Sequence, residues 1–152
     1  MTIVVDTSVL VAIVFDEPEA TLFQTKLETE EPILSFGSRI ELTLVLGGLL
    51  REKAEPEIAE IIRTYGIVVV PGDEAQLACA IEGSRRFGKG RGTEGSFLNY
   101  GDLFAYALAK ARNLPLLHKG NDFVHTDIRP AVEPGHGMIG GIRSADGRGE
   151  RI

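Results

Sequence analysis

Short apolar runs alternate with longer segments of helical periodicity along this chain. Residues 2–5 (TIVV), 31–35 (EPILS), 66–71 (GIVVVP) and 114–119 (LPLLHK) are brief runs beside turn signals. They do not alternate apolar with polar positions, which predicts strands buried on both faces. Between them lie SVLVAIVFD, EPEATLFQTKLETEE, SRIELTLVLGGLLREK, EPEIAEIIRTY, DEAQLACAIEGSRRFG and DLFAYALAKARN. Each reads as a helix, and Pro18 with its neighbouring acids marks the start of the second. Strands separated by helices predict an α/β fold with a mostly parallel sheet of four to five short strands and helices on both faces. The first helix and the segment LTLVLGGLL are apolar nearly all round. Some of that surface must be core, and the remainder predicts an exposed apolar groove.

Two stretches break the pattern. GKGRGTEGSFLNYG at 88–101 is Gly-rich and reads as a loop. The segment 133–152 is rich in Gly and charge and poor in core residues, which predicts a tail that is weakly ordered or contacts a partner. The expected organisation is one domain over 1–132 followed by this tail.

In an open α/β sheet, ligands bind outside the carboxyl ends of the strands. Asp6 follows the first strand, Asp122 follows the last, Asp102 opens the helix leading into that last strand, and Glu41 lies early in the helix after EPILS. Four acids from distant parts of the chain therefore share one predicted edge. Taken singly, Asp6 and Asp102 read as helix N-caps and Asp122 as a turn residue. Glu41 sits among apolar neighbours and needs compensation, from Arg39 or from a divalent cation. Together the four suit hard cations, Mg²⁺ or Mn²⁺, and hence phosphodiester hydrolysis. No His or Cys spacing suggests zinc.

Length and charge narrow the field. The 152 residues suffice for one core without staples, and hydrophobic residues make up 43%. A formal net charge of −6 excludes a general nucleic-acid coat protein. The single cysteine, Cys79, fits a reducing compartment, and no apolar run reaches transmembrane length, so a soluble cytoplasmic protein is expected. One basic cluster, Arg85, Arg86, Lys89 and Arg91, either complements a helix C-terminus or grips the phosphates of a nucleic acid. Phe97 and Tyr100 either pack the Gly-rich loop or stack on a base.

The motifs VVDTSVL, an acid in an early helix, LNYGDLFAYALAKARNLPLL and KGNDFVHTDI together resemble the PIN-domain ribonucleases, in particular the VapC toxins of bacterial toxin–antitoxin pairs. The resemblance spans residues 2–132. It implies an acidic metal site of Asp6, Glu41, Asp102 and Asp122, with Asp6, Asp102 and Asp122 as ligands and Glu41 acting through water. It further implies supporting roles for Ser8, Asn121, Thr126 and Asp127. The implied activity is Mg²⁺-dependent endonucleolytic cleavage of structured RNA, transfer or ribosomal, leaving 3′-hydroxyl and 5′-phosphate ends. The implied partners are a VapB-type antitoxin and a second copy of the chain, in a higher-order complex. The tail is longer and richer in Gly than the family pattern needs.

Two other classes compete. An aspartyl phosphatase wants a second Asp two residues after the first, where this chain has Ser8, and a phospho-receiver domain would rely on Asp73. A non-catalytic module could keep the fold for recognition alone, and the presence of all four acids opposes it.

Overall fold

The computed structural model describes residues 1–91 and 97–133. The chain runs β1 (Thr2–Val5), α1 (Thr7–Val14), α2 (Ala20–Thr29), β2 (Glu31–Ser35), α3 (Phe36–Leu50), a short 3₁₀ turn (Arg51–Lys53), α4 (Ala54–Tyr65), β3 (Val68–Val70), α5 (Glu74–Phe87), α6 (Asp102–Arg112) and β4 (Leu116–Leu117). The four strands form one parallel sheet in the order β3-β2-β1-β4. Parallel pairing requires crossovers, and the helices supply them.

β1 lies inside the sheet, and its alternation divides the core. Ile3 and Val5 point into one cluster with Leu10, Leu34, Leu42 and Leu46 from the α1–α4 side. Val4 points the other way, toward Phe87, Leu98, Tyr106 and Leu108 from the α5–α6 side. Helices therefore cover both faces, as the pattern predicts. Close approach fixes α6 in place. A Cβ at Gly37 of α3 would overlap the Phe104 ring, and one at Gly83 of α5 would overlap the Tyr106 ring. Gly66, in the left-handed region at φ +61°, ends α4 and turns the chain into β3.

One expectation needs correction. β3 is an edge strand, and Val68 and Val69 are exposed rather than buried on both faces. An edge strand has a neighbour on one side only, so its outer positions keep their solvent. The apolar surface of α3 also divides: Leu42 and Leu46 are buried, whereas Ile40, Leu44 (70% exposed), Val45 and Leu49 (64%) face outward. On α1, Val9, Leu10 and Ala12 are core and Phe15 is exposed. Among the described residues, no helix is long and apolar enough to cross a membrane. The expected tail, apart from Glu133, lies outside the described residues.

Candidate metal centre

Asp6 is both a cap and a site residue. β1 ends at Val5, and Asp6 takes extended backbone (φ −83°, ψ 152°) as the N-cap of α1. Its Oδ2 accepts the Ser8 N–H at 3.1 Å. Its Oδ1 is buried and has no donor among the described residues. Burial pushes the carboxyl up from its ordinary value, against the hydrogen bonds from Ser8, and Asp122 adds repulsion. The helix start thus consumes one oxygen and leaves the other unsatisfied.

Ser8 links the two ends of the chain. Its Oγ accepts the Lys119 N–H at 3.0 Å, 111 residues away. The Asp6 N–H also donates to the Leu117 carbonyl at 2.9 Å. Lys119 in turn places its ammonium between Glu17 and Glu19. These bonds fix the exit of β4, from which the chain reaches Asn121 and Asp122. Both residues are exposed, and the Asn121 carbonyl closes the turn by accepting the Val124 N–H at 3.3 Å.

Asp102 is held by a reciprocal exchange. The Asn99 Oδ1 accepts the Asp102 N–H at 2.9 Å, and the Asp102 Oδ2 accepts the Asn99 N–H at 3.0 Å. This is the logic of a capping box, built here from Asn and Asp three residues apart. It orients the Asp102 carboxylate and occupies one of its oxygens. Asp102 is only 7% exposed. Burial raises its pKa to about 7, and Asp6, Asp122 and Glu41 all push it upward while the Asn99 N–H opposes them.

Glu41 reaches the same place from α3. Its carboxylate lies against Gly101, where a Cβ would stand 2.5 Å from Cδ. Burial raises the Glu41 pKa, the Thr7 hydroxyl offsets part of that rise, and Asp6 adds to it. Arg39 does not compensate Glu41. It pairs instead with Glu55 of α4, Nη2 to Oε2 at 2.5 Å, and with Thr43. Four residues of chain put Arg39 and Thr43 on the same face of α3, one turn apart, and that face meets α4.

The four acids thus gather at the carboxyl ends of β1 and β4 and at the ends of α3 and α6 beside them. Their mutual repulsion, with no cationic side chain among the described residues offsetting it at Asp6, Glu41 or Asp102, is a deficit of positive charge. The donor set is all oxygen, which fits Mg²⁺ or Mn²⁺, and the orphaned Asp6 Oδ1 is a ligand atom without another task. Among the described residues, no three acidic, His or Cys side chains already stand close enough to hold one ion directly.

The remaining candidates fall elsewhere. Asp127 does not join the acids: its carboxylate takes Tyr106 Oη at 2.9 Å, Lys110 Nζ at 2.8 Å and Arg86 at 3.3 Å. Burial opposes its ionisation, yet Lys110 and Tyr106 outweigh burial and hold its pKa down. It is a clasp between α5, α6 and the segment after β4. Thr126 shapes its own turn, donating to the Phe123 carbonyl at 2.7 Å. Arg85 pairs with Glu82, and Arg86, beyond its bond to Asp127, lies over the Phe87 ring. Lys89 and Arg91 are exposed, and the Lys89 N–H donates to the Leu98 carbonyl, one residue before Asn99. Tyr100 is exposed at the rim, with Phe104 edge-on at 5.1 Å. Asp73 caps α5 through the Gln76 N–H at 2.8 Å. A separate apolar cavity of about 200 Å³ beside β4 is lined by none of the four acids.

Sequence reasoning missed Thr7, Asn99, Gly101 and Lys119. Asn99 had a readable signal, since Asn and Asp three residues apart at a helix start form a capping pattern. Thr7, Gly101 and Lys119 act across the fold, and nothing in their local sequence announces it.

Comparison with known proteins agrees with this architecture. Residues 3–129 match the PIN domain family. Ribonuclease VapC30 of Mycobacterium tuberculosis is 40% identical over 134 residues, covering 86% of this chain and 99% of that protein. Ribonuclease VapC of Mycolicibacterium smegmatis is 39% identical over 127 residues, covering 82% and 96%. The crystal structure of Mycobacterium tuberculosis VapC20, described as a Sarcin-Ricin loop cleaving toxin, shares the fold with a TM-score of 0.64 at 17% identity, over 84% of this chain and 99% of that one. The chain belongs to the PIN-domain family and, within it, to the VapC ribonucleases.

Proposed function

We propose that this VapC ribonuclease is a Mg²⁺-dependent endoribonuclease, the toxin of a VapB-paired system, that cuts structured RNA at its acidic centre. The observation that carries the reading is the convergence of Asp6, Glu41, Asp102 and Asp122, with Asp6 Oδ1 lacking a donor among the described residues and the Asp102 pKa raised to about 7. Asp6, Asp102 and Asp122 would hold the ion, in part through water, as Mg²⁺ commonly keeps several waters. Mg²⁺ supplies charge to the scissile phosphate and lowers the pKa of attacking water. Glu41, half-buried beside the Thr7 hydroxyl, would orient that water and accept its proton at the carboxylate. Asn99 and Ser8 would keep Asp102 and Asp6 in place. Mn²⁺ satisfies the same oxygen donors.

Lys89 and Arg91 would take RNA phosphates, since Arg85 and Arg86 are already paired with acids. The outward face of α3 would receive the apolar segment of a VapB-type antitoxin. VapC kinship supports that partner, and it also supports a homodimer within a larger complex.

The test is cleavage of total bacterial RNA by antitoxin-free protein, with Mg²⁺ or with EDTA, mapping new 5′-phosphate ends by sequencing. Discrete ends are expected with Mg²⁺, and their loss is expected in Asp6→Asn and Asp102→Asn. Undiminished cleavage by Asp102→Asn would overturn the assignment.

A further inference from the structure

Gly101 has no side chain, and the Glu41 carboxylate lies where one would begin. We infer that Gly101 is a positioning residue, the surface against which Glu41 is set beside Asp102. The functional half of this inference rests on the metal-site reading above; the steric half does not.

The backbone does not ask for glycine here. Gly101 has φ −63° and ψ −40°, ordinary helical values that every L-residue adopts. Alanine would favour that conformation and lower the entropy of the unfolded chain. The reason for glycine must therefore lie in space rather than in dihedral angles. A Cβ built on Gly101 would overlap Glu41 Oε2 outright, and would stand 2.5 Å from Cδ and 3.2 Å from Oε1. Its three nearest atoms all belong to that one carboxylate. Gly47 and Gly48 make the contrast: a Cβ there meets nothing within 4 Å.

The two sides of this contact differ in stiffness. Gly101 lies inside the turn closed by the paired bonds between Asn99 and Asp102, and the Phe104 N–H bonds its carbonyl at 3.3 Å. Glu41 presents the free end of a three-torsion side chain from α3. A methyl group at 101 would therefore move the carboxylate and leave the turn in place. The fold tolerates that displacement, whereas a site needing oxygens within a few tenths of an ångström does not.

A double-mutant cycle in EDTA tests the steric half without any metal. Thermal unfolding is compared for wild type, Gly101→Ala, Glu41→Ala and the double variant. With Glu41 shortened the space is empty, so Gly101→Ala should raise Tm in that background and fail to raise it in wild type. Equal effects in both backgrounds would overturn the inference. The functional half is read by calorimetric titration with Mn²⁺. Gly101→Ala should weaken Mn²⁺ binding about tenfold or more, the usual cost of losing a group that orients a ligand. Glu41→Asp, which withdraws the carboxylate by one methylene, should restore part of that loss in the Gly101→Ala protein. In RNA cleavage kcat should fall with KM little changed. Mn²⁺ affinity equal to wild type in Gly101→Ala would overturn the positioning role. Absence of Mn²⁺ binding by wild type itself would defeat the metal-site reading and the functional half with it, leaving the cycle to decide the steric contact.

Discussion

In EDTA this protein should become less stable as pH rises from 5 to 8, and Asp102 should contribute to the loss. Its carboxyl titrates near 3.8 when unfolded and at about 7 when folded, where burial and then Asp6, Asp122 and Glu41 oppose ionisation. Between those values the folded state keeps a proton that the unfolded state has released. Stability is therefore greatest below the unfolded value and falls as pH climbs through the folded one. At ~1.4 kcal/mol per pH unit, the ceiling is about 4 kcal/mol over the whole span and about 3 kcal/mol above pH 5. The shared acidic edge includes the exposed Asp122, so screening by water reduces this to roughly 1–2 kcal/mol. For a domain of this size that corresponds to about 2–8 °C in Tm. His118 works in the opposite direction, because burial lowers its pKa and favours the folded state as pH rises. A difference measurement cancels it. Asp102→Asn keeps an oxygen for the Asn99 N–H and loses the charge, so its Tm advantage over wild type in EDTA should widen from pH 5 to pH 8. Neutralising Asp102 also relieves Asp6 and Glu41, so the difference reports the coupled cluster. Saturating Mg²⁺ should restore the wild type at pH 8 and have less effect on the variant. A Tm difference in EDTA that stays flat or narrows over that range would refute the reasoning.

Three further outcomes are expected. Charge reversal at Lys89 and Arg91 should weaken RNA binding and flatten its dependence on salt, by close to one unit of slope per lost phosphate contact, in filter-binding or anisotropy titrations; an unchanged slope would remove them from the RNA surface. Leu44→Asp, at a site 70% exposed, should change stability by less than about 0.5 kcal/mol yet weaken antitoxin binding about tenfold or more by calorimetry, with Mg²⁺-dependent cleavage intact. Asp127→Asn should cost about 1 kcal/mol in urea unfolding, because Lys110 and Arg86 lose their partner, while kcat stays near wild type; a collapse of kcat in a folded variant would bring Asp127 back to the acidic centre.

The sheet and its helices were readable because the first three short apolar runs are each followed by a helical period, with a capping Asp at Asp6 and Asp73. The four acids were readable for a topological reason: parallel strands point their carboxyl ends one way, so Asp6, Glu41 and Asp122 had to share an edge. What stayed hidden is what depends on pairing across the fold. Arg39 is closer in sequence to Glu41 than to Glu55, yet the turn between α3 and α4 gives it to Glu55. Asp127 resembles the other acids in type and position, and only the packing of α5 on α6 shows that Lys110, Arg86 and Tyr106 claim it. Gly101 could not be read at all, since its role is the absence of atoms where a distant side chain needs room.

The order of the strands also has a consequence in time. Of the four strands β1 is made first, yet its neighbour β4 is made last, and the Asp6 N–H and Ser8 Oγ both wait for residues 117 and 119. At synthesis rates of about 5–20 residues per second, on the order of ten seconds separate Asp6 from Asp122 on the ribosome. A nascent chain that ends before residue 116 lacks the fourth acid and the strand that braces the first. The candidate acidic centre is thereby assembled only after β4 and Asp122 have been made, late in the synthesis of this domain.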